Sequence, residues 1–345
     1  MNHRLLPDVE IIAEQRFTQH QGHNLLALKL QQRGYRCTGW SGSLVQKATA
    51  KVLRRLPAFR GLNPTTAFHV WRGNRISARR RPRWVHFIWG DDELSHLKHP
   101  EGCILTLHQP MELWTAASWQ QIARSGGIIC MSDRERVAIN IRCPHIPCVF
   151  IPHGIDIDFW QPANPPPLRR LCAVGRYMRN VPMLLRVARE ILQRHPDVTF
   201  QWLIHPDYTV RPELVRELPP ERFELVHAYS DQQLRALYAE SWAFCMPYDN
   251  VTASNAIVEC MASGTPIFTT RTGGMASYGE DVMTLVENND AAGMVEALSA
   301  CLASGTLRAD QARRGRRYAV EHFAWPQVLD QHERFYASLP RAEAA

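Results

Sequence analysis

The sequence predicts an α/β protein of two doubly wound domains, each a parallel sheet covered by helices. Short apolar runs that are typical of buried strands alternate with helical stretches along most of the chain, as βαβ units require. The length of 345 residues is enough for two domains with separate cores. An apolar content of 45% and a charged content of 21% are those of a soluble globular protein. We therefore expect an N-terminal domain over residues 1–152, a second over 153–320, and a final helix within 321–345.

Composition also bounds the partners and the compartment. There is no run of about 18 apolar residues, so no transmembrane helix is predicted. The N-terminus lacks an apolar signal core followed by a small-residue cleavage site. The nine cysteines are scattered without a C-x-x-C pair or a Cys/His cluster, so we expect free thiols, a reducing cytoplasm and no metal site. The net charge of +7 favours anionic partners.

The first domain opens with a strand over residues 8–14, a polar loop and a helix over 24–33. Three more apolar runs end in polar loops, and in a parallel sheet these carboxyl ends form the edge where ligands bind. The runs lie at residues 84–89, 103–107 and 127–130. His108 directly follows one of them, whereas Asp91 and Asp92 follow another. The aspartates lack the D-x-D spacing of a metal motif, so we expect ordinary loop acids there.

The stretch from residue 44 to 83 is the most basic part of the chain. Lys47, Lys51, Arg54 and Arg55 alternate with apolar residues at helical spacing, and six arginines follow between residues 72 and 83. Three interpretations stay open for the basic region 47–83: a solvated face, contact with an anionic membrane surface, or nucleic acid. Nucleic acid is disfavoured, because no zinc-finger spacing, aromatic RNA-binding signature or helix-turn-helix pattern is present.

The second domain opens with a strand at residues 171–174 and a basic loop. Gly175, Arg176 and Arg179 lie in this loop, ahead of a predicted helix. Arginine binds phosphate oxygens in bidentate fashion and keeps its charge at all physiological pH values. The order of strand, glycine, basic loop and helix indicates a phosphate-facing site, although two loop arginines taken alone more often have a structural role.

The most informative stretch runs from residue 247 to 281. A turn-prone loop precedes a helix over 255–262, and Gly264 follows as a helix-ending glycine. A short buried strand comes next, and Gly273 then opens another loop. The pattern predicts loop, helix, strand and loop in that order.

The start of this helix has the composition of an anion site. Thr252, Ser254 and Asn255 lie where free backbone N–H groups and the positive end of the helix dipole favour a phosphate. Glu259 lies just past the first turn, within reach of a sugar hydroxyl. On chemistry alone, an ordinary capped helix stays open as the alternative.

The run N-A-I-V-E-C-M-A-S-G-T-P-I, followed by G-G, resembles the donor-site segment of family-four glycosyltransferases with the GT-B fold. In that fold two Rossmann-like domains flank a cleft. The resemblance implies that the helix N-terminus, including Ala256, faces the donor diphosphate and that Glu259 holds the ribose hydroxyls. The family's E-x7-E pattern places its first glutamate where this chain has Val251. Asp249 is the nearest acid and the candidate for its contact with the donor sugar.

Other segments resemble the same family. In G-R-Y-M-R-N, Arg176 and Arg179 match the cations that neutralise the departing diphosphate. T-L-H places His108 at a strand end near the donor sugar and the acceptor. Gly22 in the first loop and His86 are the acceptor-side candidates. The run V-F-I-P-H-G-I-D-I-D-F-W-Q-P resembles the family's connection between domains, and the C-terminal helix resembles one that crosses back onto the first domain.

These resemblances imply a glycosyltransferase that moves a sugar from a UDP- or GDP-sugar to an acceptor hydroxyl of a glycan, glycolipid or other cell-envelope precursor. They further imply retention of configuration, no metal and no cofactor, in the cytoplasm or peripherally at the inner face of the plasma membrane. A sugar-nucleotide 2-epimerase of the same fold and a catalytically degenerate sugar-nucleotide-binding protein stay open as alternatives. A nicotinamide dehydrogenase is disfavoured, because no G-x-G-x-x-G follows the first strand.

Overall fold

The chain forms two compact units. The structure is a computed structural model that describes residues 8–14, 24–79, 84–91, 96–163, 168–205, 209–227 and 230–340, with the backbone alone for residues 24 and 77–79. Unit 1 comprises Met1–His153 and Trp325–Ala345, and unit 2 comprises Gly154–Ala324. Gly22 and Asp92, both singled out from the sequence, lie outside the described residues. The domain boundaries given above stay predictions.

Strands and helices alternate along both units. Up to residue 153 they are β1 (Val9–Glu14), α1 (Asn24–Gln32), β2 (Arg36–Trp40), α2 (Leu44–Leu53), α3 (Pro64–Arg79), β3 (Trp84–Phe87), β4 (Cys103–Leu107), α4 (Ala116–Ile122), β5 (Gly127–Cys130), α5 (Asp133–Arg142) and β6 (Cys148–Phe150). Unit 2 has β7 (Leu168–Val174), α6 (Val181–Arg194), β8 (Thr199–Leu203), α7 (Pro212–Val215), β9 (Phe223–Val226), α8 (Asp231–Glu240), β10 (Ser241–Met246), α9 (Asn255–Ala262), β11 (Ile267–Thr270), β12 (Thr284–Val286), α10 (Ala291–Ala303) and α11 (Gly305–His322). The last helix, α12 (Trp325–Ser338), belongs to unit 1.

The described strands form two six-stranded sheets, and all their pairings are parallel. The first sheet has the order β2-β1-β3-β4-β5-β6, and the second has β12-β11-β10-β7-β8-β9. In each, the chain winds outward first to one side and then to the other. The strand order therefore reverses between β1 and β3 in unit 1, and between β7 and β10 in unit 2. This topology confirms the predicted α/β class with doubly wound, Rossmann-like units.

Residues on successive strand positions face opposite sides of the unit 1 sheet. Ile11 belongs to one buried cluster and Ile12 to the other, as the two-residue period of a strand requires. Helix α12 contributes Val328, Leu329 and Phe335 to the first cluster. The final helix is thus part of the unit 1 core.

In unit 2 the periodic pattern of buried residues is seen on a helix. In α6, Met183, Val187 and Ile191 are fully buried at a spacing of four, which forms one apolar face against the sheet. Helix α9 ends at Ala262, and Gly264 shortly after it has a φ of +65°, the left-handed conformation that favours glycine after a helix. Among the described helices, none has both the length and the apolar character that a membrane-spanning segment requires.

Candidate functional site

Two loops that the sequence singled out meet at the point where the strand order of unit 2 reverses. Residues 175–180 follow β7 and residues 247–254 follow β10, and these two strands pair directly. Two backbone hydrogen bonds join the loops: Asn180 N–H donates to the Pro247 carbonyl over 2.9 Å, and Asp249 N–H donates to the Met178 carbonyl over 3.1 Å. Crevices at such switch points are the usual ligand sites of open α/β sheets.

The basic loop turns sharply around Gly175. Its φ is +87°, and a Cβ at this position would lie 3.1 Å from the guanidinium of Arg179. That guanidinium lies 4.6 Å from the centre of the Tyr248 ring and donates to the Tyr177 carbonyl over 2.6 Å. The Nε of Arg179 is buried and has no partner among the described residues. Arg176, in contrast, is exposed at the surface of the loop.

Tyr248 connects the basic loop to α9. Its side chain is fully buried, and its hydroxyl lies 2.8 Å from the hydroxyl of Ser254. Its backbone is held by Thr270, whose hydroxyl accepts from the Tyr248 N–H and donates to the Tyr248 carbonyl, each over 2.8 Å. One aromatic residue thus fixes the arginine on one side and the start of the helix on the other.

The N-terminus of α9 lacks a side-chain cap. Ser254 occupies the capping position, yet its side chain accepts no hydrogen bond from the first turn. The hydroxyl of Thr252 is buried and without a partner among the described residues. Asn255 and Ala256 open the helix, so their N–H groups lie at the positive end of its dipole. The arrangement suits an anion that accepts hydrogen bonds from backbone and hydroxyl donors.

The loop after β11 packs against the loop before α9. Gly274 N–H donates to the Val251 carbonyl over 2.6 Å. Gly273 has a φ of +53°, and a Cβ there would come within 2.0 Å of the same carbonyl oxygen. The side chain of Val251 is buried, whereas Asp249 is exposed two residues earlier. The position of the family's first glutamate is therefore apolar here, and the role of Asp249 stays a prediction.

Glu259 is a buried carboxyl one turn into α9. It is 4% exposed, and burial raises its pKa to about 8, with Tyr238 beside it acting in the opposite direction. Its carboxyl is therefore mostly protonated at neutral pH in the structure. A neutral carboxyl both donates and accepts a hydrogen bond, which fits a pair of hydroxyl groups.

In unit 1, His108 stands at the end of β4 and is held on several sides. Its ring stacks on Trp89 at 4.5 Å and on His153 at 5.8 Å. Its Nε2 lies 2.8 Å from the Ile88 carbonyl oxygen, so Nε2 carries a proton and donates it to that carbonyl. The carboxylate of Asp91 accepts from the backbone N–H of His108 over 2.7 Å and from that of Gln109 over 3.1 Å.

His86 lies in the core of unit 1. It is fully buried, and its two ring nitrogens are each 2.7 Å from a hydroxyl, one of Tyr336 and one of Thr106. Burial, together with the neighbouring His332, holds the pKa of His86 well below its ordinary value. This placement gives His86 a structural role in place of the acceptor contact expected from the sequence.

Two residues, Tyr248 and Asp91, position the loops of the site in ways that the sequence did not indicate. Tyr248 stands in the stretch singled out from the sequence, but a tyrosine in a polar loop has no periodicity that predicts its burial. Asp91 was expected to be an ordinary loop acid, and it instead binds two backbone amides at a neighbouring strand end. Among the described residues, no three His, Cys, Asp or Glu side chains converge as a metal-binding set.

The fold and this site define a two-unit Rossmann-like protein whose second unit presents cations and a helix end at its switch point. Residues 169–304 match the family described as "Glycosyl transferases group 1". This segment of unit 2 is thus similar to the group 1 glycosyltransferases, and the fold class of the chain is GT-B.

Known proteins resemble the chain in sequence and in fold. A curated relative, the "MMP alpha-(1->4)-mannosyltransferase" of Mycolicibacterium hassiacum, is 30% identical over 191 residues, which are 52% of this chain and 46% of that protein. The chain spans less than half the length of the first curated relatives that it matches.

Two solved structures share the fold at low identity. Sucrose-phosphate synthase from Thermosynechococcus elongatus has a TM-score of 0.74 at 14% identity, covering 96% of this chain and 99% of that one. The HepE protein of Anabaena, crystallised with UDP and glucose, has a TM-score of 0.72 at 14% identity, with the same coverage of 96% and 99%.

Proposed function

We propose that this protein transfers a sugar from a nucleoside diphosphate sugar to an acceptor hydroxyl, with retention of configuration and without a metal. The observation that supports this most directly is the pairing of two loops at the switch point of unit 2. One loop carries Arg176 and Arg179, and the other leads into the uncapped N-terminus of α9. A diphosphate bound there would meet arginine on one side and backbone N–H groups on the other.

The chemistry requires stabilisation of negative charge on the leaving group. As the bond between the sugar C1 and the diphosphate oxygen breaks, charge builds on the diphosphate, and preorganised donors lower that barrier. Arg176, Arg179 and the first turn of α9 would supply such donors. In the front-face route that we favour, the acceptor oxygen forms the new bond to C1 and its proton passes to an oxygen of the leaving diphosphate.

Further residues would position the donor. We assign Gly175, Thr252 and Ser254 to the diphosphate side of the site, together with Asn255 and Ala256. Glu259 would hold the ribose hydroxyls, and Asp249 would contact the donor sugar. His108 in unit 1, whose ring is held by the Ile88 carbonyl, is the residue that we assign to a hydroxyl of the donor or acceptor.

The resemblance to the family and the fold neighbours guide our proposal for the donor, the acceptor and the location. We propose a UDP- or GDP-sugar, because the Anabaena neighbour was crystallised with UDP and glucose and the curated relative is named as a mannosyltransferase. The acceptor would be a glycan, glycolipid or other cell-envelope precursor, and the protein would act in the cytoplasm, peripherally at the inner face of the plasma membrane.

A nucleotide panel with a single arginine variant tests the proposal. UDP, GDP, ADP and CMP and their sugars are added to the metal-free protein, and the thermal shift is recorded; a hundredfold excess over Kd corresponds to about 2.7 kcal/mol of stabilisation. With the donor so identified, Arg176→Ala should lower kcat/KM for transfer about 100- to 1000-fold while the unliganded Tm stays unchanged. Arg186, which is exposed on α6, provides the control Arg186→Ala.

The outcomes separate the competing functions. No shift with any nucleotide, or equal turnover of Arg176→Ala and Arg186→Ala, contradicts the proposed site. Conversion of the sugar nucleotide into its 2-epimer without any acceptor identifies an epimerase. Nucleotide binding with neither transfer nor epimerisation across an acceptor panel identifies a degenerate binding protein.

A further inference from the structure

Helix α2 and the turn after it expose apolar side chains on an otherwise basic surface. Leu44, Val45, Val52 and Leu56 are 85%, 77%, 60% and 48% exposed. Single exposed apolar residues are ordinary, but four within the thirteen residues 44–56 are an unusual concentration. We call this region, residues 44–56, the α2 surface.

The apolar stripe of α2 is separate from the face that packs on unit 1. Ala50 packs in a small core cluster with Trp40 and Phe68. Leu44, Ala48 and Val52 follow one another at a spacing of four, which places them in a row on the side away from Ala50 at about 100° per residue. The helix therefore buries one face and leaves a second apolar face in contact with water.

Cations border this stripe and lack acidic neighbours. Lys47, Lys51 and Arg54 are exposed and make no ion pair with any described residue. Arginines nearer the sheet behave differently, since Arg33 pairs with Asp330 and Arg36 pairs with Asp8.

The sequence around the helix explains this lack of partners. Between Glu14 and Asp91 it contains no aspartate or glutamate, against fifteen lysines and arginines. An acid-free segment of this length keeps a positive potential at its surface, because no carboxylate of the segment itself cancels it.

We propose that the α2 surface binds an anionic lipid bilayer, with its apolar stripe at the headgroup boundary and its lysines and arginines on lipid phosphates. An apolar stripe flanked by cations suits an interfacial helix lying in the membrane plane. A second copy of this chain fits poorly, because it would bring two positive surfaces together. Nucleic acid would satisfy the cations and leave the apolar stripe in water. The inference rests on the proposed function in one respect: membrane binding would bring the enzyme close to a lipid-linked acceptor.

Vesicle binding of the full chain tests this surface. The protein is mixed with vesicles of phosphatidylcholine alone, or of equal parts phosphatidylcholine and phosphatidylglycerol, and the bound fraction is measured by flotation at low and at physiological salt. We expect binding to the anionic vesicles alone, weakening with salt. Lys47→Gln with Lys51→Gln should lower the partition coefficient about 30-fold, and Leu44→Ser with Val52→Ser at least about tenfold.

Matched variants elsewhere show whether binding depends on the α2 surface itself or only on the net charge and hydrophobicity of the protein. Arg313→Gln with Arg317→Gln removes two cations at the same spacing from the exposed face of α11, and Val137→Ser with Ile141→Ser removes two exposed apolar side chains of α5. Both controls should bind vesicles as the unchanged protein does. Equal losses in controls and α2 variants would overturn the proposal.

Three other results would also overturn it. The first is that the protein does not bind vesicles. The second is a dimer that forms without lipid and dissociates in the variant Leu44→Ser with Val52→Ser. The third is that the protein binds RNA but not vesicles. Because flotation is measured without donor or acceptor, its outcome is independent of sugar transfer. If the protein transfers sugar to a soluble acceptor but does not bind vesicles, that result contradicts this inference and leaves the proposed function intact.

Discussion

The loops at the carboxyl ends of the two sheets are held by different chemistry. In unit 2 a buried aromatic residue, Tyr248, holds Arg179 and Ser254 beside the N-terminus of α9. In unit 1 a carboxylate, Asp91, accepts two backbone N–H groups and fixes the backbone at His108. One edge is thus built around positive groups and the other around an oriented imidazole. The same type of sheet can present positive groups or an imidazole at its edge, depending on which side chain holds its loops. We call these side chains, Tyr248 in unit 2 and Asp91 in unit 1, the clamps.

In unit 2 the backbone of Gly273 lies very close to the Val251 carbonyl. A side chain added at Gly273 should therefore have the largest effect on stability of the changes considered. Gly273→Ala adds a Cβ 2.0 Å from a carbonyl oxygen at a φ of +53°, so we expect the free energy of unfolding to fall by about 3–5 kcal/mol. Gly61→Ala in unit 1 is the control, because its φ of +86° is strained but nothing lies within 4 Å. Urea denaturation of both variants measures the difference. Equal losses would mean that strain alone, and not the collision, sets the cost.

A second prediction compares one buried carboxyl from each unit, Glu135 in unit 1 and Glu259 in unit 2. Glu259 has a folded pKa of about 8 and Glu135 of about 7, each raised chiefly by burial from an ordinary value of 4.5. The folded state therefore binds the proton more tightly than the unfolded state. The stabilisation is complete below about pH 4.5 and is lost as pH rises through the folded pKa, by at most about 1.4 kcal/mol per pH unit for each group.

Substitution by glutamine separates the two carboxyls. The stability gained by Glu259→Gln over the unchanged protein should keep growing between pH 7 and 8, whereas the gain of Glu135→Gln should level off near pH 7. Denaturation midpoints at pH 5, 6, 7 and 8 measure both curves. Parallel curves for the two variants would contradict the difference in folded pKa on which the prediction rests.

The clamp in unit 1 should be the next largest effect. Asp91→Asn keeps one acceptor oxygen but turns an NH₂ group toward a backbone N–H, so we expect a loss of about 1.5–3 kcal/mol in the free energy of unfolding. Asp156 in unit 2 accepts from the N–H groups of Asp158 and Phe159 over 3.2 and 3.1 Å through one oxygen, Oδ1. Asp156→Asn therefore removes the charge while keeping both hydrogen bonds, which makes it the control for loss of charge alone. Only Asp91→Asn should also slow sugar transfer, because it alone disturbs His108. A slower Asp156→Asn enzyme with normal Asp91→Asn turnover would reverse the assignment.

The smallest effect concerns the clamp in unit 2. Tyr248→Phe removes the hydroxyl partner of Ser254, and we expect about 1 kcal/mol of lost stability together with a nucleotide Kd raised severalfold. The Ser254 hydroxyl would then be able to cap α9 and compete with the phosphate for the same N–H groups. A double-mutant cycle with Ser254→Ala measures the coupling. Additive changes in nucleotide affinity would show that the two hydroxyls do not act together.

Much of the architecture was predictable, because it depends on local patterns. Apolar runs of four to seven residues placed the strands, and the helix at residues 255–262 was predicted at the bounds that α9 has. The basic loop at Gly175 and the loop before α9 were also apparent from residue type and order. Their meeting at one switch point follows from the doubly wound topology, once that topology is assumed.

Contacts between distant parts of the chain were not predictable in this way. His86 looked like a strand residue near a ligand edge, and only its bonds to Tyr336 and Thr106 identify it as a core residue. Tyr248 and Asp91 acquire their roles from Ser254 and from His108, which the fold brings beside them. The exposure of the apolar stripe on α2 likewise depends on which face of the helix finds a partner in unit 1.

The division has a physical reason. Secondary structure and loop chemistry depend on residues within a few positions of one another, so composition and period carry that information in the chain itself. Burial, pKa and the choice of hydrogen-bond partner depend on which elements pack together across tens or hundreds of residues. Those properties, including the raised pKa of Glu259 and the clamps at both sheet edges, were decided only when the two units folded.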